Sequence, residues 1–335
     1  MDNTINISVK KLTEIISTTF IKKGVEPAYA KIITDNLVLT EACGVKSHGI
    51  NMVTAHVNRL LNGGYNLAPD LKVEKQTHVF SVVDSDNSIG MISADYCMKI
   101  AVEKAKHEGI HAVFSKNCNT YGAAFTYAKI ATDQNLIGIT FCNTPTAMAA
   151  WNGKTKILGT NPIAVGIPGK VCGPILFDMA TSIVAKSKFN EARKKGESIP
   201  IGWGLDSNGV PTTDPLEAIK GFVLPMAEHK GYGLALCIDI LSGVISGSGY
   251  SDNINRFYSD DNSCMNVGQT FIAIDPSQIC DKDFYERIDD YIDKIHTGEA
   301  IFPGENFLIS YESALEYGIE IDETLYEQLK KLSNI

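Results

Sequence analysis

Hydrophobic positions recur at helical spacing near both ends of the chain and alternate at strand spacing through its middle. Leu12, Ile15, Ile16 and Phe20 mark one face of a helix that Ser8 can cap and Gly24 can close. A second helical pattern covers about 27–43, and a third, 53–61, stops at Asn62-Gly63-Gly64. The texture changes after Leu71. Strands are expected at 79–84, 110–114, 136–142, 163–167, 175–178 and 271–275. Helices are expected at 93–107, 181–194, 232–246, about 283–294 and 323–332. No internal repeat or low-complexity linker interrupts this mixed α/β pattern.

Composition narrows the class. A chain of 335 residues that is 44% hydrophobic can bury a large core, and its length suggests roughly two domains. The formal charge of -9 and the lack of any Lys/Arg run argue against a nucleic-acid or anionic-membrane partner. The stretch 232–247 is apolar but contains Asp239 and is too short to cross a bilayer, so it reads as a buried helix. The first residues lack an apolar targeting core, and the eight cysteines form no CxxC pair. A cytoplasmic protein with reduced thiols and no metal site is expected.

Two motifs are set aside on physical grounds. His107-Glu108-Gly109-Ile110-His111 has the HExxH spacing, which binds zinc only when both histidines share one helical face; Gly109 should end the helix and Ile110 should begin a strand. Gly153-Lys154-Thr155 resembles the end of a phosphate loop, yet Met148 stands where its first glycine must be. Neither Gly231-Tyr232-Gly233 nor Gly247-Ser248-Gly249 completes a GxGxxG, so a Rossmann fold is not expected.

His48 follows the second helix within Ser47-His48-Gly49, where an imidazole can exchange a proton near neutral pH. Further blocks are Asn117-Cys118-Asn119-Thr120-Tyr121-Gly122, Trp151-Asn152-Gly153 with Leu158-Gly159-Thr160-Asn161-Pro162, Asp178-Met179-Ala180-Thr181-Ser182, and His229-Lys230-Gly231-Tyr232-Gly233-Leu234. Gly202-Trp203 leading to Pro215, and Pro303-Gly304-Glu305, complete the set. In this order the chain resembles, over nearly its whole length, the type-2 malate/L-lactate dehydrogenase family, which includes ureidoglycolate, sulfolactate and diketogulonate oxidoreductases.

The resemblance implies a non-Rossmann nicotinamide-binding α/β (α+β) fold with a largely antiparallel central sheet and a helical domain formed from both chain ends. Residues 1–70 would pack with helices in 311–335, and 71–310 would form the nicotinamide-binding domain. It also implies a homodimer and reversible hydride transfer between NAD or NADP and C2 of a small 2-hydroxy or 2-oxo acid. Cofactor contacts would fall on Asp178, Met179, Ala180, Thr181, Lys230, Gly231, Pro303, Gly304 and Glu305. Lys230 offers a point charge for a pyrophosphate, Gly231 a close backbone approach, and 178–181 the start of a helix with free N–H groups. His48 would give the proton, with Ser47, Asn119 and Thr120 at the substrate. His229 is the rival acid, disfavoured by its neighbour Lys230.

Two residues depart from the family's pattern. Met52 stands where an arginine often grips the substrate carboxylate, and Thr120 where a histidine is common. Lys46, Lys116 and Lys154 are the candidates to replace the charge. A hydroxy-acid dehydrogenase, a reductase of cyclic imine acids and a cofactor-binding protein with little catalysis are the three readings that remain.

Overall fold

The computed structural model describes residues 3–258, 262–280 and 283–334. The chain opens with β1 (Thr4–Ile7), α1 (Val9–Lys22), α2 (Pro27–Ala42) and α3 (Val53–Leu61). There follow β2 (Lys72–Gln76), β3 (Phe80–Asp84), α4 (Gly90–Glu108), β4 (Ile110–Cys118), α5 (Phe125–Thr132) and β5 (Ile137–Cys142). Next come β6 (Met148–Ala149), β7 (Lys156–Leu158), β8 (Ile163–Ile167), β9 (Ile175–Met179), α6 (Ser187–Lys195), β10 (Gly204–Leu205), α7 (Pro215–Lys220), β11 (Phe222–Val223) and α8 (His229–Asp239). The chain closes with β12 (Val267–Ile274), α9 (Phe284–Thr297), α10 (Glu305–Tyr317), β13 (Ile319–Asp322) and α11 (Glu323–Ser333).

Among the described residues the central sheet has the order β2-β3-β4-β12-β5-β8-β9. Its pairs are antiparallel except β3 with β4, which α4 connects as a crossover. Alternation along β12 sends Phe271 and Ala273 into the core under α4 and α5. Gly268 and Thr270 point the other way, toward the turn that continues α8; Thr270 Oγ1 donates to Leu241 O at 2.7 Å.

The helical layer joins both ends of the described chain. Ser8 Oγ accepts the Lys11 N–H at 3.2 Å, and Leu12, Ile15, Ile16 and Phe20 are fully buried, as the spacing predicts. β1 pairs antiparallel with β13, Thr4 facing Asp322, and Leu329 of α11 joins the same apolar cluster.

Several local expectations are corrected. The helix expected at 181–194 begins only at Ser187, because Thr181 N–H bonds to Thr160 O (2.9 Å) and Thr181 O accepts from Met226 N–H (3.0 Å), which holds the chain irregular. The stretch 232–247 is helical with a π turn over Ile240–Val244, but it is not a buried helix. Ile240, Leu241, Val244 and Ile245 are 43–52% exposed along its outer side. The HExxH segment splits as the glycine predicts. Gly109 adopts φ +82° at the end of α4, and His111 lies in β4 with Nε2 2.9 Å from Ser81 Oγ.

Candidate active site

The His48 turn owes its shape to a buried carboxylate. After α2, Gly44 takes φ +82° and His48 N–H bonds to Val45 O at 3.1 Å. Glu41, 4% exposed, accepts the Ile50 N–H at 3.1 Å. A Cβ on Gly49 would fall 2.3 Å from Glu41 Oε2, so only glycine fits between the two. Burial raises the Glu41 carboxyl above the ordinary range. Ser47 Oγ lies 2.9 Å from His48 Nδ1, and among the described residues Nε2 has no hydrogen-bond partner. Burial also holds the His48 pKa below its usual value.

Asn119 is fully buried, and its side chain is bonded all round. Its Nδ2 donates to Asn87 Oδ1 (2.9 Å) and Ser88 O (2.8 Å), while Oδ1 accepts from Met265 N–H (3.2 Å) and Arg59 Nη2 (3.3 Å). Such an amide fixes backbone rather than turning toward a ligand. Thr120, next to it, is partly exposed. Lys116 is paired with Glu74 at 2.8 Å, and Lys46 Nζ donates to Glu320 O at 3.3 Å, so both cations are already engaged; Lys154 is exposed.

The three blocks expected to contact the cofactor meet around the end of β9. Asp178 lies on β9 opposite Ala164 and accepts the Phe125 N–H at 3.0 Å. It thus caps α5, a helix remote in sequence, rather than one that follows it. Burial pushes its carboxyl up to about 6. Met179 and Ala180 are half-buried, and Thr181 binds Thr160 O through both N–H and Oγ1. The Thr181 amide is therefore not free for an anion.

Two residues before Asp178, Leu176 N–H bonds to Pro303 O at 3.1 Å. Gly304, at φ +89°, leaves no room for a Cβ, which would lie 2.5 Å from Leu176 O. Glu305 then starts α10, bonded to Phe302 N–H (2.9 Å) and facing His296 Nε2 (3.0 Å).

On the other side, Gly231 in the first turn of α8 packs against both Met226 and Thr181. A Cβ there would meet their carbonyl oxygens at 2.2 and 2.8 Å. The N–H groups of Lys230 and Gly231 are taken by Ala227 O and Met226 O, so the group offered to an anion is the exposed Lys230 ammonium. These glycines pack against the protein's own backbone, and the exposed Lys230 ammonium beside them is the group whose charge fits a dinucleotide's pyrophosphate. His229 is exposed with its ring 6.1 Å from that of Trp151.

Sequence reasoning passed over Glu41 and Arg59. Both are charged residues on the largely apolar buried faces of α2 and α3, and that placement was the available signal.

Residues 7–330 match the malate/L-lactate dehydrogenase family model, and the chain belongs to that family. L-sulfolactate dehydrogenase of Methanocaldococcus jannaschii is 38% identical, over 93% of this chain and 92% of the relative. Ureidoglycolate dehydrogenase (NAD(+)) of Escherichia coli is 30% identical, over 96% and 94%. A solved structure of the M. jannaschii sulfolactate dehydrogenase superposes with a TM-score of 0.90 at 36% identity, covering 98% of this chain and 97% of that one. Membership sets the reaction class: a nicotinamide-dependent dehydrogenase acting on hydroxy acids.

Proposed function

We propose that the protein interconverts a small 2-hydroxy acid and its 2-oxo acid with His48 as the proton-transfer group. Nicotinamide, when bound, supplies or accepts the hydride at C2. In the reducing direction the carbonyl π bond opens, C2 gains the hydride, and the oxygen takes the proton from His48 Nε2. An Nδ1–H donated to the Ser47 hydroxyl oxygen orients the ring and leaves Nε2 to carry the proton in the imidazolium and to accept it in the neutral ring. Asn119 and Thr120 contribute to the substrate site in this reading, Asn119 through the backbone it fixes. Lys230 holds the pyrophosphate, with Asp178, Met179, Ala180, Thr181, Gly231, Pro303, Gly304 and Glu305 shaping the cleft.

The observation that carries this reading is the convergence of three sequence-distant blocks on β9 together with an imidazole whose Nε2 is free. Met52 and Thr120 leave the pocket less cationic, so the preferred substrate carries something besides a compact dicarboxylate. Either NAD or NADP serves this geometry. The protein works in the cytoplasm, a reading supported by eight free cysteines. Among the described residues no helix is long and apolar enough to cross a membrane. It pairs as a homodimer, for which the exposed ridge Ile240, Leu241, Val244 and Ile245 supplies an apolar face.

Reduced-nicotinamide absorbance, followed with a panel of 2-oxo acids and cyclic imine acids, tests the assignment. We expect a 2-oxo acid larger than oxaloacetate to be turned over best. His48→Ala should slow that step roughly 10²- to 10⁴-fold without loss of cofactor binding. Because burial lowers the His48 pKa, oxidation should rise with pH only up to a point below about 6.5 and then level off. His48→Ala should erase that limb; a variant that keeps both rate and profile would exclude His48.

A further inference from the structure

Arg59, only 4% exposed, ties three segments together. Its Nη1 donates to Phe257 O (3.4 Å), and its Nη2 donates to Ser263 O and to Asn119 Oδ1 (3.3 Å). The guanidinium also lies 5.4 Å from the Tyr65 ring centroid and 6.0 Å from that of Phe257. All these partners are neutral, and Nε is buried with no partner among the described residues. A desolvated cation with no carboxylate beside it among the described residues is costly to keep, so its retention calls for a positional reason.

That reason is visible one residue beyond its anchor. Phe257 is gripped a second time by the edge-on ring of His56 at 5.1 Å, and its own ring sets Tyr258 edge-on at 4.9 Å. Tyr258 is 75% exposed, and its hydroxyl reaches Met52 Sδ at 3.7 Å. A thioether is a weak acceptor, so the phenol keeps its bonding capacity for another group. Met52 N–H bonds to Gly49 O at 3.0 Å, which holds Met52 within one turn of His48. Met52, His56 and Arg59 follow at i, i+4 and i+7 along one stripe, so the arm that carries Tyr258 is tied through Met52 to the turn that follows His48.

We infer that Tyr258 contacts the substrate beside His48, donating its hydroxyl to the substrate carboxylate, and that Arg59 is the positioning residue that holds Tyr258 there. The inference rests on the dehydrogenase reading and adds a substrate contact to it. It also explains how the pocket recognises an acid where the turn after His48 carries Met52.

Tyr258→Phe, Arg59→Lys, Arg59→Met and the double variant Tyr258→Phe/Arg59→Lys test it in the intact chain. Tyr258→Phe should raise KM for the best 2-oxo acid of the panel about 10-fold, with reduced-nicotinamide affinity and Tm unchanged. Affinity for oxamate in the presence of reduced nicotinamide, read by calorimetry, should fall by the same factor. Arg59→Lys should raise KM similarly, and the double variant should be no worse than either single change. Because Tyr258 is exposed, its variant keeps the question answerable even where Arg59→Met does not fold. An active wild type with Tyr258→Phe within 2-fold in both KM and oxamate affinity overturns the inference alone. Additive losses in the double variant overturn the role of Arg59. A wild type inactive on the whole panel overturns the dehydrogenase reading, and this inference with it.

Discussion

Asp178 is a carboxylate carried by a strand to the start of a helix it does not belong to, and its burial has a sign that can be measured. A carboxyl raised to about 6 holds its proton longer in the folded state than in the unfolded chain. Its contribution to stability is therefore full below the unfolded value, near 3.9, and is lost as pH rises through about 6. At about 1.4 kcal/mol per pH unit, the rise from near 3.9 to about 6 corresponds to about 3 kcal/mol, most of it lost between roughly pH 4 and pH 7. Asp178→Asn keeps an acceptor for the Phe125 N–H and carries no charge, so the variant should gain on the wild type across that window. Urea unfolding of both proteins at intervals through it checks this; a constant difference would mean that Asp178 does not titrate there. The motif around Asp178 was legible in the sequence, but its partner was not. Nothing local in Asp178-Met179-Ala180-Thr181 says that Phe125, 53 positions away, supplies the N–H. Arg59 escaped for the same reason, since the three groups it binds lie 60 to 204 positions away.

At the scale of elements, the first turn of α8 sets a packing role beside the binding role proposed for the adjacent lysine. Gly231→Ala would press a methyl against Met226 O and Thr181 O, an overpacking that typically costs about 1–3 kcal/mol. Lys230→Ala removes only an exposed side chain, so its melting curve should match the wild type while nicotinamide binding weakens by about 1.5–3 kcal/mol. Fluorescence titration alongside thermal melts distinguishes them, and unchanged affinity in Lys230→Ala would take that lysine out of the site. The elements themselves were legible in proportion to their one-sidedness. Those of α1 and α3 have clear stripes and end where the glycines say. Helices α5 and α10 were missed: six of the eight residues of α5 are buried, and α10 leaves Ile309, Leu315 and Tyr317 exposed, so neither shows a single apolar face. The helix expected at 181 failed because two backbone bonds to distant residues outweigh local propensity.

For the whole molecule, the exposed ridge on the π turn is the pairing face proposed above. Leu241→Asp or Val244→Asp should convert a dimer to monomers in sedimentation equilibrium, because an unpaired charge cannot be buried cheaply in an apolar contact. A wild type that sediments as a monomer would refute pairing. The sheet order carries a consequence of another kind. The strand at its centre, β12, is made long after the two strands it joins, β4 and β5. At synthesis rates of about 5–20 residues per second, a ribosome leaves those two edges without their shared neighbour for on the order of 10 s. Unpaired strand edges are templates for mispairing. The chain that will bind a dinucleotide must first pass through a half-built sheet, and its yield in a cell depends on how quickly its last third is delivered.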